Sequence, residues 1–301
     1  MKMKKILKTS VLASSAFVAL SGSSFAAGTL SNGLVNYWNL DNNLTDQAHG
    51  VAGTASTVQD DGSFAGANGT GGIAFGTGVF GGGITQDGAA GGAAGQENNG
   101  FVNIPRSGDT LFGDAGANPA NVLTTSIWVQ VGTFDTGWQS AISHGEGQQY
   151  RIARRGAGNG VGYAGGVGEG GDDVVHDITA GWHHLVSLSD GLNGTKLWVD
   201  GVLVSTNVNA ADINDDQGLP GITLDLNIGA NPNTGANNRE WNGEIDDVAQ
   251  WNRVLTDTEI SDLYGGGPTT ATSLGDLMAI PEPSSGLLGL LGLSFFFRRR
   301  R

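Results

Sequence analysis

The stretch Gly181-Trp182-His183-His184-Leu185-Val186-Ser187-Leu188-Ser189-Asp190-Gly191-Leu192-Asn193-Gly194-Thr195-Lys196-Leu197-Trp198-Val199-Asp200-Gly201-Val202-Leu203-Val204-Ser205-Thr206 decides the fold class. Three short apolar runs are separated by two turn signals. Asp190 to Gly194 supplies two glycines for positive φ. Lys196 to Val199 alternates with a period of two. Asp200-Gly201 sits between Val199 and Val202, a strong short-range signal for a two-residue hairpin. The spacing predicts a three-strand antiparallel meander.

Working outward, the rest of the chain reads as strands and turns. Gly33 to Asp41 is aromatic and β-branched, and a turn at Asn42-Asn43 follows. Residues 61–100 hold 15 Gly without a three-residue period, which excludes collagen and predicts long loops. Within them Gly78 to Gly88 reads as a strand and turn, with its edge at Gln86 uncertain. Phe101 to Pro105 is a short strand halted by proline. Thr124 to Val131 places Ile127, Val129 and Val131 on one face. Gln139 to His144 and Gln149 to Ala153 read as a hairpin, Leu224 to Gly229 as a strand, and Trp241 to Leu255 as another. Thr256 and Glu259 form a capping box for a short helix, with Ile260, Leu263 and Tyr264 on one face and Gly265 at its end. Gly266 to Ala279 reads as a plain linker.

The hairpin Trp182-His183-His184-Leu185 … Lys196-Leu197-Trp198-Val199-Asp200-Gly201, the strand at 33–41, and above all Trp241-Asn242-Gly243-Glu244-Ile245-Asp246-Asp247-Val248 resemble LamG-like, concanavalin A-like jelly-roll domains. The resemblance covers nearly all of residues 33 to 264. It implies an all-β sandwich of two antiparallel sheets with one short C-terminal helix, in which the first and last strands are antiparallel neighbours. The domain is placed at residues 27–266, with a linker at 267–280.

The two ends read as addresses. Lysines at positions 2, 4, 5 and 8, an apolar run from Val11 to Leu20, and Ser24-Phe25-Ala26 make a signal peptide over residues 1–26, cleaved between Ala26 and Ala27. At the other end come Pro281-Glu282-Pro283, a 14-residue apolar run, and four arginines. That run spans only ~21 Å as a helix, short of the ~30 Å hydrocarbon core. Together the three features, at residues 281–301, resemble a PEP-CTERM sorting signal. This implies an exosortase-type processing enzyme as partner, transient membrane contact, and delivery to the surface or extracellular matrix of a Gram-negative bacterium.

Between Ala27 and Ile280 there are 7 basic and 28 acidic residues, a net of −21, within a chain of formal net charge −14. Such a body repels nucleic acid and anionic lipid and suits divalent cations. The chain has no Cys, so neither disulfides nor thiol chemistry enter. No Gly-x-Ser-x-Gly elbow and no zinc spacing occurs. Some glycanases share this sandwich and use Glu-x-Asp-x-x-Glu. Here Glu244-Ile245-Asp246 begins the pattern, but Ala249 stands where the last glutamate would be. His183 and His184 begin a strand, one inward and one outward, which reads as a core imidazole bonded to backbone rather than a catalytic or metal-binding one.

The sequence therefore points to a non-catalytic surface or matrix protein that binds carbohydrate or another extracellular polymer, such as a polysaccharide or a matrix protein. An adhesive component with no small ligand, or a glycoside hydrolase, is the alternative. Trp138 and Trp241 are candidate stacking platforms. Arg151, Arg154 and Arg155 form a basic cluster suited to a carboxylate or sulfate on a glycan, or to neighbouring acids, and Arg151 is its candidate contact. From the strand adjacency that the resemblance implies, Asp41, Asp46 and Glu244 are candidate calcium ligands, with backbone carbonyls completing the shell.

Overall fold

The structure, a computed structural model, describes residues 27–48, 54–58, 64–65, 73–87, 100–104, 122–134, 137–144, 150–156, 158–165, 176–178, 181–209, 226–231 and 239–279. The expected signal peptide with its Ala26 junction, and the Pro281-Glu282-Pro283 tail, lie outside these residues. No described helix is long and apolar enough to cross a membrane.

In chain order the strands are β1 (Leu34–Trp38), β2 (Thr54–Val58), β3 (Phe64–Ala65), β4 (Ile73–Thr77), β5 (Gly82–Asp87), β6 (Gly100–Ile104), β7 (Val122–Val131) and β8 (Ser140–His144). There follow β9 (Tyr150–Arg154), β10 (Gly160–Gly165), β11 (His176–Asp177), β12 (Trp182–Asp190), β13 (Thr195–Val199), β14 (Val202–Asn207), β15 (Leu226–Ile228) and β16 (Asn242–Trp251). The helices are α1 (Ala27–Leu30), α2 (Asp257–Tyr264) and α3 (Leu274–Ala279). One sheet runs β14-β13-β12-β7-β16-β5-β4, with β1 also on β16; the other runs β11-β10-β9-β8-β15-β6-β2-β3.

The meander forms as its turns dictate. Asp200 and Gly201 both take positive φ, +52° and +75°, the signature of a type I′ hairpin, and Val199 pairs with Val202. Gly191 and Gly194 carry positive φ at the other turn. β12 pairs along its whole length with β7. Between the sheets lies the main core, with Trp38, Ile127, Val129, Leu185, Leu197, Ile245 and Val248 from the first sheet meeting Val102, Ile142, Ile152, Tyr163, Leu226 and Ile228 from the second. Each such side chain contributes roughly 1.5–3 kcal/mol of burial.

The decisive irregularity is in β16. One edge pairs with β7; the other serves two strands in succession. β5 takes Asn242 to Ile245, and β1 takes Val248 to Trp251. The changeover is a bulge between Asp246 and Ala249, where Asp247 adopts φ +47°. Tyr37 thus pairs with Ala249, as the expected neighbourhood of first and last strands requires.

The outer face of the first sheet is covered. Tyr37, Val186, Leu188, Trp198 and Trp251 pack beneath Leu30, Ile260, Leu263 and Leu274 of the three helices. On the same face Trp128, His184 and Tyr264 stack ring on ring, and Ser126 Oγ lies 2.8 Å from His184 Nε2. Burial pushes that imidazole down to about 3. The expected backbone bond to a core histidine is replaced by this serine contact, while His183 donates to Asp200 at 2.8 Å.

Three expectations fail locally. β4 forms in a stretch that reads as glycine-rich loop, because pairing to β5 supplies what intrinsic propensity lacks. The edge strand beside Gln86 is β4, and Gln86 itself is buried, its Nε2 donating to Gly229 O across the sandwich at 3.0 Å. Residues 274–279, expected as linker, form α3, and Leu274 is buried.

The helical cover is held by one residue. Arg253 donates to Asn32 O at 2.6 Å, to Thr29 O at 2.7 Å and, as a fork, to both Glu259 oxygens at 3.0 and 2.7 Å. Burial alone would raise the Glu259 carboxyl; the bonds from Arg253 and Thr256 bring it down to about 2. Arg253→Ala is expected to destabilise by about 1.5–3 kcal/mol, with Arg253→Lys recovering only part because an ammonium lacks the fork. A depressed carboxyl stabilises above its unfolded value of 4.5, and this contribution is lost as pH falls toward 2. Urea melts from pH 6 to pH 2 should show this loss in the parent chain and its absence in Glu259→Gln.

Candidate functional site

The outward side of the second sheet carries a row of polar side chains, most of it buried: Ser143 is 0% exposed, Arg151 1% and Asn227 2%. Alternation puts Val102, Ile104, Ile142, Ile152, Leu226 and Ile228 into the core and the intervening residues outward. The resulting row is Asn103, Asn227, Ser143 and Arg151, each the cross-strand partner of the next. Asn103 Nδ2 donates to Asn227 Oδ1 at 3.0 Å, and Ser143 Oγ donates to Ala230 O at 2.7 Å.

Trp138 stands at the end of this row. Its backbone is left-handed, φ +69°, a conformation few bulky residues adopt. The Arg151 guanidinium lies 4.6 Å from its ring centroid and that of Arg155 lies 4.7 Å away. Each cation–π contact contributes roughly 0.5–2 kcal/mol, more as water is excluded. Arg151 is buried and Arg155 half-buried. The basic cluster expected from sequence is thereby divided. Arg151 and Arg155 converge on Trp138, while Arg154 lies 5.2 Å from the Phe134 ring and donates through Nε to Gly158 O at 2.6 Å.

Of the two tryptophans expected as platforms, Trp138 meets Arg151 and Trp241 does not. Trp241 is 1% exposed, its indole N–H donates to Gln130 O at 3.0 Å, and Phe134 meets it edge-on. It is core, with no face for a ligand. The ring of Trp138 is committed to guanidinium groups, so it acts by holding two cations together.

The acidic residues gather elsewhere, where β16 changes partners. A cleft of about 780 Å³ is lined by Tyr37, Asp41, Phe80, Gly81, Asp247 and Gly275, among others. Tyr37 donates its hydroxyl to Asp247 Oδ1 at 2.6 Å, the Leu274 amide donates to Asp247 Oδ2 at 3.0 Å, and the Gly275 amide donates to the tyrosine oxygen at 3.2 Å. Asp246 accepts from the Phe80 and Asp247 amides. Asp41 accepts from the Gly82 amide and from Asn39. Burial pushes the Asp246 carboxyl up to about 8 and Asp247 up to about 6, with Asp41 adding to both.

The expected calcium set does not converge. Asp46 is buried and its Oδ1 accepts from the Tyr37 and Ala48 amides, which makes it a loop cap. Glu244 lies further along β16, between Thr85 and Gln130. Among the described residues no three His, Cys, Asp or Glu side chains are grouped to hold a metal. Asp41 keeps its place, and its acidic neighbours are Asp246 and Asp247. The only sequence cue to these is the Asp-Asp pair within the resemblance to the last strand. Ala249, where a glycanase would carry a carboxylate, packs under the helices.

The family described as the concanavalin A-like lectin/glucanases superfamily, Laminin_G_3, matches residues 98–261. Among curated proteins none matches the sequence. Domain 4 of AbnA, a GH43 extracellular arabinanase from Geobacillus stearothermophilus solved with arabinotriose, is 18% identical with a TM-score of 0.52, over 76% of this chain and 97% of that one. A botulinum neurotoxin type C structure, whose cell entry depends on two ganglioside molecules, is 12% identical with a TM-score of 0.53, over 79% of this chain. The match spans 52% of that toxin chain. These likenesses establish the fold, and the family match establishes descent: the chain belongs to the Laminin_G_3 family of concanavalin A-like domains.

Proposed function

We propose that this protein binds carbohydrate beside Trp138, and that Arg155, held with the buried Arg151 on that indole, engages a carboxylate or sulfate group of the glycan. The observation that carries this reading is two guanidinium groups within 5 Å of one indole in a body with 7 basic and 28 acidic residues. Planar guanidinium edges match carboxylate and sulfate oxygens. The neighbours' arabinotriose and gangliosides support the ligand class. The end segments support export, exosortase processing and residence in an extracellular matrix. The missing third carboxylate of the glycanase pattern supports binding without turnover. On a glycan array the chain should favour uronate-containing or sulfated glycans over neutral ones. Arg155→Gln should lose at least tenfold in affinity while the fold, read by circular dichroism, stays intact. Equal binding of neutral and acidic glycans would refute the anion reading; silence across the array would refute carbohydrate binding itself. Release of reducing ends from any bound glycan would turn the reading to the hydrolase alternative.

We further propose that calcium acts at the cleft through Asp41 and Asp246, which approach the turn before β5 from two sides. A methyl group on Gly81 would meet Asp41, and one on Gly78 would meet Asp246. A hard cation there would supply the positive charge these carboxylates lack among their described hydrogen-bond partners. The sign of the pH effect follows. Asp246 is raised from 3.8 to about 8, so without a cation its contribution to stability is full below pH 3.8 and is lost as pH rises through 8. Calcium opposes proton binding, so its stabilisation should grow across that window. Melting curves with calcium and with chelator should diverge at pH 8 and converge near pH 4 in the parent chain. They should coincide at both pH values in Asp246→Asn; coincidence in the parent would remove the cation from the account.

A further inference from the structure

We propose that the first sheet is also an assembly surface, joining copies of this chain head to tail through its two outermost strands, β14 of one copy against β4 of the next. Strand edges carry rows of backbone N–H and C=O groups, and folded proteins usually blunt them with charge, proline or brevity. The second sheet obeys that rule: its ends are β11 and β3, each two residues long. The first sheet does not. Its ends are β14, six residues, and β4, five residues.

Both edges are uncharged in a strongly acidic chain. No Asp, Glu, Lys, Arg or Pro occurs from Gly201 to Ala211, nor anywhere in residues 62–86. Both expose apolar side chains: Val202 is 63% exposed, Leu203 47% and Phe75 41%. Among the described residues no strand lies beyond either edge. Val202 to Asn207 also combines high β-propensity with zero charge, the composition that pairs most readily with another strand.

The topology favours a head-to-tail contact over a twofold one. Six antiparallel pairings separate β14 from β4, so the two strands point the same way. A copy shifted along the sheet therefore brings its β4 beside β14 in parallel, and the ladder continues. Two β14 strands would pair less well, because Leu197 and Trp198 oppose Ser205 and Leu203, leaving Val204 as a bulge in mid-strand. The β4 ladder on β5 is regular throughout. A contact between two different patches leaves one of each patch free after every addition, so copies add head to tail beyond the dimer, into open chains or rings. The repulsion of chains with formal charge −14 each opposes assembly at low salt and is screened at high salt.

The test uses the full chain in one detergent throughout, so that the apolar tail contributes equally to every sample. One variant blocks β14 (Val202→Lys with Leu203→Lys); another blocks β4 (Ala74→Lys with Phe75→Lys). All four positions are exposed, and circular dichroism confirms the fold of each variant. In sedimentation the parent should form species larger than dimers, increasing with concentration and with salt. Each variant alone should stay monomeric. Their equimolar mixture should stop at the dimer, because it offers one free β14 and one free β4. A parent that stays monomeric at every concentration and salt overturns the proposal, and so does association of either variant alone.

Discussion

The structure depends on how β16 divides one edge between two partners. A strand of ten residues, Asn242 to Trp251, pairs with β5 over its first half and β1 over its second. The handover needs a bulge, and the bulge leaves Asp246 and Asp247 side by side where three segments end. The loop after β1 brings Asp41, the turn before β5 brings the Phe80 and Gly82 amides, and the chain after α2 brings the Leu274 amide. Without amides and a tyrosine hydroxyl around them, two buried carboxylates would cost more than the packing returns. The cleft is thus a consequence of strand pairing. Its acidity is the chemistry left over when one strand's edge is shared.

That account separates what was legible in the residues from what was not. The meander at 182–207 was legible because Asp200-Gly201 fixes one turn and the apolar runs on either side set the register. α2 was legible to its caps, since Thr256 and Glu259 exchange the expected bonds and Gly265 takes φ +58°. Nothing comparable announces β4 or β10. Ile73-Ala74-Phe75-Gly76-Thr77 and Gly160-Val161-Gly162-Tyr163-Ala164-Gly165 are strands because a neighbour offers its ladder, and a ladder is invisible in one segment alone. The same limit governed the site. That Trp138 meets Arg151 depends on its left-handed backbone before β8, whereas Trp241 is carried inward against Phe134. For calcium, the antiparallel neighbourhood of first and last strands holds, but a bulge of one residue shifts which carboxylate faces Asp41.

The two faces of the sandwich have been given different work by their coverings. On the first sheet, α1, α2 and α3 bury Trp198, Trp251 and Val186, and Arg253 ties the segment before β1 to the helix after β16. That face is closed to ligands, but its lateral edges stay open. On the second sheet the outward Ser143, Arg151 and Asn227 are buried as well, and the half-buried Arg155 lies beside Trp138 at the end of their row. The proposed glycan contact at Arg155 and the proposed strand pairing at β14 and β4 therefore use different parts of the molecule.

Charge segregation follows the same division. The guanidinium groups of Arg151 and Arg155 sit on Trp138 at one face, and Asp41, Asp246 and Asp247 sit at the handover in β16 on the other sheet. Were they adjacent, each would neutralise the other as an internal ion pair, and the carboxylates would not be pushed up to about 6 and about 8. Keeping them on separate sheets leaves each cluster short of counter-charge from the other. Two of the body's 7 basic residues thus meet on one indole while its buried carboxylates gather on the other sheet, the separation on which the proposed acidic-glycan and calcium contacts rest.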